Sequence, residues 1–238
     1  MQKMTLLQHF AELRRRILWT ALVFVCAAVV GWGVAPALQE FLTAPLMDVW
    51  GDGKLLYASV TDGLMIHFSL AILFAIFVTL PVALWHFWAY VSPGLKKNER
   101  GFILPILLLS PVLFLLGAGF AFYILFPSVF QFFIELNLSS PVPAVIMPVA
   151  RDYLSFVIGL LKVFGIAFQL PLIMVLLNRL GILSREAAVK MRRYAIVAIV
   201  VIAAVLTPPD VVSQILLALP MWALFEISIL FMRRNTVQ

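Results

Sequence analysis

Long, uninterrupted apolar runs constrain this chain more than any other feature of its sequence. The six runs cover residues of about 17–38, 64–90, 102–127, 152–177, 194–206 and 211–232. A chain of 238 residues that is 64% hydrophobic and only 12% charged cannot enclose such runs in a water-soluble core. The runs lack the alternation of barrel strands, and a chain in lipid must satisfy its backbone hydrogen bonds internally, so they predict membrane-spanning helices.

The predicted fold class is an all-α membrane protein, a single polytopic domain of residues 1–238 with six transmembrane helices. The fifth run, 194–206, has thirteen residues. At about 1.5 Å per residue it would cover only about 20 Å of a hydrocarbon core of about 30 Å. Prolines within or at the ends of the runs favour bent helices over a tight straight bundle. These prolines are Pro81, Pro105, Pro111, Pro127, Pro171 and Pro220.

Basic residues are unevenly distributed between the two ends of the runs. Fourteen of the seventeen Lys and Arg residues lie in segments 1–16, 91–101, 178–193 and 233–238. The three segments at the opposite ends of the runs hold only two basic residues but seven of the eleven acids. They are residues 39–63, 128–152 and 207–210. Because cytoplasmic loops carry the excess of positive charge, both termini are predicted to be cytoplasmic and the acidic segments to lie outside.

One acid precedes three consecutive arginines at the start of the first apolar run, in the stretch LQHFAELRRRIL of residues 7–18. Thr5 followed by Gln8 is typical of a capping box and predicts a helix that begins near Leu6. On that helix Glu12 can pair with an arginine three or four residues later, in an exposed bridge worth only a few tenths of a kcal/mol.

A second acid, Glu99, lies among basic residues in the stretch GLKKNERG of residues 94–101. Taken alone, it can be a solvated acid near the start of the third run. Taken together, Glu12, Glu99 and Glu186 are the only acids on the predicted cytoplasmic face that carries fourteen cations. Two carboxylates in that position suit a dicationic ligand.

Three polar residues lie within the apolar runs: Lys162 and Gln169 in the fourth and Glu226 in the sixth. Ionisable groups in lipid are costly and mark functional sites by default, although a buried and mutually satisfied pair is the alternative. On a continuous helix Lys162, Gly165 and Gln169 fall within about 60° of one another. They predict a polar face that either packs inside the chain or accepts a partner helix.

The stretch TPPD, residues 207–210, separates the fifth and sixth runs. Pro208 and Pro209 stop the preceding helix, and Asp210 can cap the following one by accepting hydrogen bonds from its first amides. The sequence therefore predicts a structural turn here.

No pattern in the sequence indicates catalysis or a bound metal. His9, His67 and His86 lack metal-ligand spacing, and the single cysteine, Cys26, allows neither an intrachain disulfide nor a cysteine metal site. HExxH, GxSxG and phosphate-binding glycine loops are absent from the sequence. The basic residues lie in short blocks between apolar runs, which argues against nucleic-acid binding. We expect no enzyme activity, no cofactor and no metal.

Seven short stretches in collinear order resemble the TatC family, the multi-span receptor of the twin-arginine protein translocase. They are HFAELRRRIL at 9–18, TAPLM at 43–47, WAYVSPGLKKNER at 88–100, DYLSFV at 152–157, FGIAFQLPL at 164–172, LTPPDVVSQ at 206–214 and LFEI at 224–227.

The resemblance implies a concave, receptor-like bundle and a set of site residues. The family's signal-peptide site corresponds to Glu12, Leu13, Arg14, Arg16, Tyr90 and Glu99. Its first external loop contains Pro45, and its sixth span contains Glu226. Its last external turn, which contains Pro208 and Pro209, also contains Asp210 and Gln214. Gln169 stands where many relatives have Glu, so a fixed intramembrane charge is not assured at that position. We expect Gln169, Lys162, Glu226 and Gln214 to dock partner helices.

The resemblance also implies what the protein does. Members of the family bind paired-arginine signal peptides of folded precursors, self-associate, work with the single-span subunits TatA and TatB in the lipid of the bacterial inner membrane, and use the proton-motive force. The other class of function that the sequence leaves open is a small secondary transporter, with its site built from Lys162, Gln169 and Glu226.

Overall fold

The computed structural model describes residues 6–50, 54–91, 103–139, 147–207 and 211–233, and its regular structure there is helical. The helices are α1 Leu6–Trp50, α2 Asp62–Val91, α3 Ile103–Phe120, α4 Phe126–Leu138, α5 Ala150–Ala167, α6 Leu170–Arg179, α7 Arg185–Lys190, α8 Arg192–Leu206 and α9 Val211–Phe231. Outside them, one isolated bridge joins Leu56 to Val149.

Five segments among the described residues are helical, long and apolar enough to cross a membrane. They are Phe10–Val49, Asp62–Phe87, Leu108–Asn137, Ala150–Arg179 and Val211–Phe231. The short fifth run of the sequence corresponds to α8, which has 15 residues. The prediction of an all-helical fold with long apolar spans is confirmed.

Two predicted external segments are partly helical. α1 continues to Trp50, so Pro45, which the resemblance places in the first external loop, lies buried inside a helix. Helix also continues through α4 to Leu138, well into the segment predicted as the second external loop. Proline is tolerated inside membrane helices because neighbouring groups can satisfy the carbonyl it leaves free, and apolar flanking residues let the helices continue.

Two prolines accompany breaks in helical regularity. A π-helical turn, Ala121–Leu125, joins α3 to α4 just before Pro127. α5 ends at Ala167 and α6 begins at Leu170, just before Pro171. Proline has no amide hydrogen to donate to the carbonyl four residues earlier, so the regular pattern is lost within the preceding turn.

The chain divides into two compact units, and the first comprises Met1–Gln39 and Leu64–Val112. In it, α1 and α2 approach closely at Gly31, where an added Cβ would lie 2.8 Å from the carbonyl oxygen of Ala71. The Trp32 ring packs edge-on against Phe68, with 5.0 Å between the ring centroids. Small residues at the crossing let the two backbones come together, as is typical of membrane helices.

The second unit comprises Glu40–Gly63 and Leu113–Gln238. The buried Tyr153 hydroxyl donates to the Leu42 carbonyl oxygen at 2.7 Å, which ties α5 to the end of α1. The fully buried Phe126 and Phe164 side chains belong to its core. Gly165 packs beneath the Phe114 ring, where an added Cβ would lie 2.5 Å from a ring atom.

Candidate functional site

Glu12 lies on α1 and is held by an arginine one turn later. Both Nε and Nη2 of Arg16 donate to the same carboxylate oxygen, Oε1, at 3.0 and 2.5 Å. About a quarter of each side chain is exposed, 25% for Glu12 and 22% for Arg16. The structure therefore forms the i,i+4 pair that the sequence permits, and it uses only one of the two carboxylate oxygens.

The other oxygen of Glu12 has no partner among the residues that the structure describes. Oε2 is buried and accepts no hydrogen bond from any of them. The Glu12 side chain borders a cavity of about 390 Å³ together with Trp19 and His86. A buried carboxylate oxygen without a donor is costly, because burial removes its water without replacing the lost hydrogen bonds. This cavity is therefore suited to a ligand that brings hydrogen-bond donors.

A larger cavity of about 540 Å³ adjoins the first, since Arg16 and His86 line both. Leu13 and Tyr90 line it as well, so the structure brings together three of the residues that the sequence assigns to the signal-peptide site: Leu13, Arg16 and Tyr90. The rest of its wall is mainly apolar. Arg14 lines a different cavity, together with Leu18 and Leu22, on another side of α1.

Two residues of α2 at this site were not singled out as ligands from the sequence. Thr79 Oγ1 and His86 Nδ1 are buried and have no hydrogen-bond partner in the described part of the chain. Thr79, Ala83, His86 and Tyr90 all line the larger cavity. Their spacing of three and four residues places them on one face of a helix, and this periodicity was the signal that could have found them.

Within the span of α5 and α6, the predicted polar face is interrupted. Gln169 lies in the two-residue break after α5 and caps α6 in a near-helical conformation. Gly165 packs against Phe114 of the same chain. Gly165 thus packs inside the chain, and Gln169 lies beyond the end of α5 in two residues that keep near-helical backbone angles. The role of this face toward a partner helix stays a prediction.

Glu226 on α9 pairs with Arg192 at the start of α8. Arg192 Nη2 donates to Glu226 Oε2 at 2.6 Å. Lys162 is half-buried and makes no ion pair with an acid in the part of the chain that the structure describes. Of the three residues proposed for the alternative transporter site, Lys162, Gln169 and Glu226, the acid is thus paired with Arg192 and not with Lys162.

The remaining predicted site residues divide into described and undescribed positions. Gln214 donates through Nε2 to the carbonyl oxygen of Val200 at 3.1 Å, which links α9 to α8. Glu99, Pro208, Pro209 and Asp210 lie outside the described residues. No cluster of three or more potential metal ligands occurs among the residues that the structure covers.

Comparisons with known proteins agree over most of the chain. The family model described as "Sec-independent protein translocase protein (TatC)" matches residues 8–220. The TatC of Magnetococcus marinus is 36% identical over 98% of this chain and 85% of its own length. TatCy of Bacillus subtilis is 38% identical over 96% of this chain and 88% of its own. TatC of Escherichia coli is 35% identical, with coverage of 96% and 88%.

The fold agrees with the sequence comparison. A crystal structure of the twin-arginine translocase receptor TatC superimposes with a TM-score of 0.85 and 32% identity, over 94% of this chain and 97% of that one. A second crystal structure of this receptor, obtained in the detergent DDM, gives a TM-score of 0.86. The chain is thus a multi-pass membrane protein, and it belongs to the TatC family of Sec-independent protein translocase components.

Proposed function

We propose that this protein is the receptor subunit of its translocase and binds the paired-arginine signal peptides of folded precursors. Glu12 and Glu99 would accept hydrogen bonds from the two guanidinium groups, with Leu13, Arg14, Arg16 and Tyr90 around them. The observation that carries this proposal is the Glu12 carboxylate, which borders a cavity and whose buried oxygen Oε2 has no hydrogen-bond donor among the described residues.

The chemistry of the guanidinium group explains why arginine rather than lysine would be read. A carboxylate can accept two parallel hydrogen bonds from a guanidinium fork, whereas an ammonium group acts as a compact point charge. Because Arg16 already occupies Oε1 of Glu12, an incoming arginine either binds Oε2 alone or displaces Arg16. The arginines of α1 repel cations in general, so a single or misplaced positive charge gains little.

The proposal includes the topology and the partners. The chain has six spans, of which α8 is the short fifth, and the spans bend at their prolines. Both termini lie in the cytoplasm, and the protein lies in the inner membrane of a bacterium. TatA and TatB helices would assemble around this chain, which also self-associates, and the proton-motive force would drive transport. Gln169, Lys162, Glu226 and Gln214 are the residues proposed to dock these helices.

Binding of the signal peptide can be tested on the purified full-length chain. The parent should retain a peptide with two arginines and release one with two lysines, and Glu12→Gln and Glu99→Gln should each reduce this preference. Glu186→Gln is the matched control, because Glu186 is an exposed acid at the start of α7. In cells, the two site variants should leave folded precursors with paired-arginine signals in the cytoplasm. Equal retention of both peptides by the parent would contradict the proposal.

Docking of a partner helix at Gln169 needs a separate experiment. Interhelical hydrogen bonds in membranes are worth about 0.6–2 kcal/mol, so Gln169→Leu should weaken recruitment of TatA or TatB and leave signal-peptide binding intact. A photocrosslinker at position 169 should give adducts that depend on co-expression of the partners. Adducts only within the same chain would place this residue in internal packing.

A further inference from the structure

Arginine side chains gather in the second unit where α7 and α8 contact α9, at the end of the spans that the charge distribution predicts to be cytoplasmic. Residues 179–193 hold five cations and one acid. Two of these cations, Arg185 on α7 and Arg192 on α8, reach across to α9 and form hydrogen bonds with it. The fold therefore orients both guanidinium groups, which a solvated loop would not do.

The two guanidinium groups are bound to α9 about one turn apart. Arg185 Nε donates to the Ile229 carbonyl oxygen at 3.1 Å, and Arg192 Nη2 donates to Glu226 Oε2 at 2.6 Å. Three residues of helix separate these two acceptors by about 4.5 Å along the axis. The structure thus holds two cations against the same stretch of α9, at a spacing suited to one phosphate group.

Most of the hydrogen-bonding capacity of these two arginines is unused in the described part of the chain. A guanidinium group has five N–H donors, and each of the two makes one hydrogen bond there. Glu226 neutralises only one of the two positive charges. Arg185 is half-buried, and 45% of the Arg192 side chain is exposed, so both present surface to a ligand.

The surface beside this pair is apolar. Glu226 shares one face of α9 with Leu219, Trp222 and Leu230, which lie four or seven residues away and have exposed side chains. Glu226 is also only five residues from the end of α9 at Phe231, about 7.5 Å along the axis. The arginine pair therefore lies near the end of a candidate span, where the headgroups of a bilayer meet its hydrocarbon.

We propose that Arg185 and Arg192 bind the headgroup phosphate of an anionic phospholipid whose acyl chains lie along the exposed face of α9. Phosphate oxygens accept paired hydrogen bonds from guanidinium forks, and basic pockets between membrane helices suit anionic headgroups. Inorganic phosphate fits the arginines but does not use the adjoining apolar face. A zwitterionic phospholipid covers that face but brings no net negative charge. The anionic lipid is the occupant that matches both parts of the surface.

Native mass spectrometry of the purified full-length chain in an uncharged detergent measures the binding of lipid. Phosphatidylglycerol should be retained about tenfold more strongly than phosphatidylcholine with the same acyl chains, and an excess of inorganic phosphate should not displace it. Equal retention of the two lipids would overturn the proposal. Displacement by inorganic phosphate would overturn it as well, because the site would then take the anion without the lipid.

Arginine variants separate a specific site from an effect of net charge. Arg185→Gln should weaken the retention of phosphatidylglycerol about three- to tenfold, and Arg185→Lys, which keeps the charge but not the fork, should restore part of the loss. Arg193→Gln is the matched control. It removes the same charge beside Arg192, but Arg193 lies about 100° further around α8, with its guanidinium carbon 4.9 Å from the centre of the Tyr194 ring.

The control variant should change the retention of phosphatidylglycerol by less than about twofold. Equal losses in Arg185→Gln and Arg193→Gln would overturn the proposal, because net charge alone would then explain the binding. The unfolding temperature of each variant in lipid-free detergent shows whether it is folded.

Glu226→Gln gives a result that a purely structural ion pair would not give. It removes the acid that competes with the phosphate for Arg192 and keeps an oxygen that can accept a hydrogen bond from this arginine. The retention of phosphatidylglycerol should therefore rise about two- to fivefold, even if the variant unfolds at a lower temperature without lipid. Unchanged or weaker retention would show that Arg192 does not contact the headgroup and would overturn the proposal.

Discussion

The ion pair of Glu12 uses one of the two oxygens of its carboxylate. Arg16 binds Oε1, and only about a quarter of each side chain is exposed. A charge-assisted hydrogen bond to a partly desolvated ligand contributes about 1.5–3 kcal/mol, so Oε2 would still give a peptide guanidinium a strong acceptor. Under the proposed function, Arg16 orients the carboxylate without blocking it.

The first prediction concerns Arg16. Arg16→Gln frees Oε1 of Glu12 and should change the affinity for a paired-arginine peptide by no more than about twofold, because Arg16 occupies Oε1 and the peptide is proposed to bind at Oε2. Glu12→Gln should weaken the same affinity about tenfold or more. Titration of a labelled peptide with each variant measures both. A loss with Arg16→Gln as large as that with Glu12→Gln would mean that Arg16 contacts the peptide itself.

A second prediction at this scale concerns the pair of Arg192 and Glu226. Because 45% of the arginine and 24% of the glutamate side chain is exposed, solvent screening limits the direct contribution to about 1 kcal/mol at most. Arg192→Gln should lower the unfolding temperature in detergent by leaving Glu226 without its donor. The double variant Arg192→Gln with Glu226→Gln should recover part of this loss.

The control for this pair is Lys190→Gln, an exposed cation of α7 near Arg192. It should leave the unfolding temperature unchanged. Glu226→Gln alone completes the comparison. If the double variant lowers the unfolding temperature by as much as the two single variants together, Arg192 and Glu226 do not interact.

At the scale of elements, the crossing of α1 and α2 depends on one glycine. An added Cβ at Gly31 would lie 2.8 Å from the Ala71 carbonyl oxygen and 3.1 Å from Phe74 Cβ, whereas at Gly33 it would meet nothing within 4 Å. The nearest group at Gly31 is backbone and cannot rotate away. The two helices would have to separate to admit a methyl group.

This difference gives the third prediction. Gly31→Ala should destabilise the protein by about 1–3 kcal/mol through overpacking, while Gly33→Ala should be neutral or slightly stabilising, because alanine is the better helix former. Thermal unfolding of the two variants in the same detergent compares them directly. Equal unfolding temperatures would show that α1 and α2 do not pack closely at Gly31.

At the scale of the whole molecule, the fourth prediction is the orientation in the membrane. In a Cys26→Ser background, Asp48→Cys should react with a membrane-impermeant maleimide added to intact spheroplasts. Glu186→Cys should react only after the membrane is opened. Both side chains are exposed, so accessibility within the protein does not decide the result. The reverse pattern of labelling would overturn the predicted orientation.

The sequence was sufficient for the helical spans because long apolar runs have few alternatives in lipid. It was insufficient where a helix continues into a flanking segment, as α1 does through Pro45, since loop and helix have similar compositions there. A bend near Pro171 was predictable from the sequence, because proline cannot donate a hydrogen bond to the end of α5. The position of the two-residue break at Phe168 and Gln169 was not, because a uniform helix was drawn across it.

Contacts between distant residues could not be read from the sequence. The sequence predicted no partner for Glu226, and Arg192, 34 residues earlier in the chain, fills that role. His86 was considered only as a metal ligand and set aside because its spacing is not that of a ligand. Its place in the wall of both cavities depends on how α2 lies against α1, which sequence periodicity does not specify. The assignment of the chain as a single domain remains a prediction.

The central claim is that the Glu12 carboxylate accepts a guanidinium of the signal peptide, and a double-mutant cycle tests it most directly. Parent and Glu12→Gln proteins are each titrated with a paired-arginine peptide and with peptides in which one or the other arginine is lysine. For one of the two arginines, the losses should be non-additive, with a coupling energy of about 1.5–3 kcal/mol. Additive losses for both arginines would contradict the claim that Glu12 binds either of them.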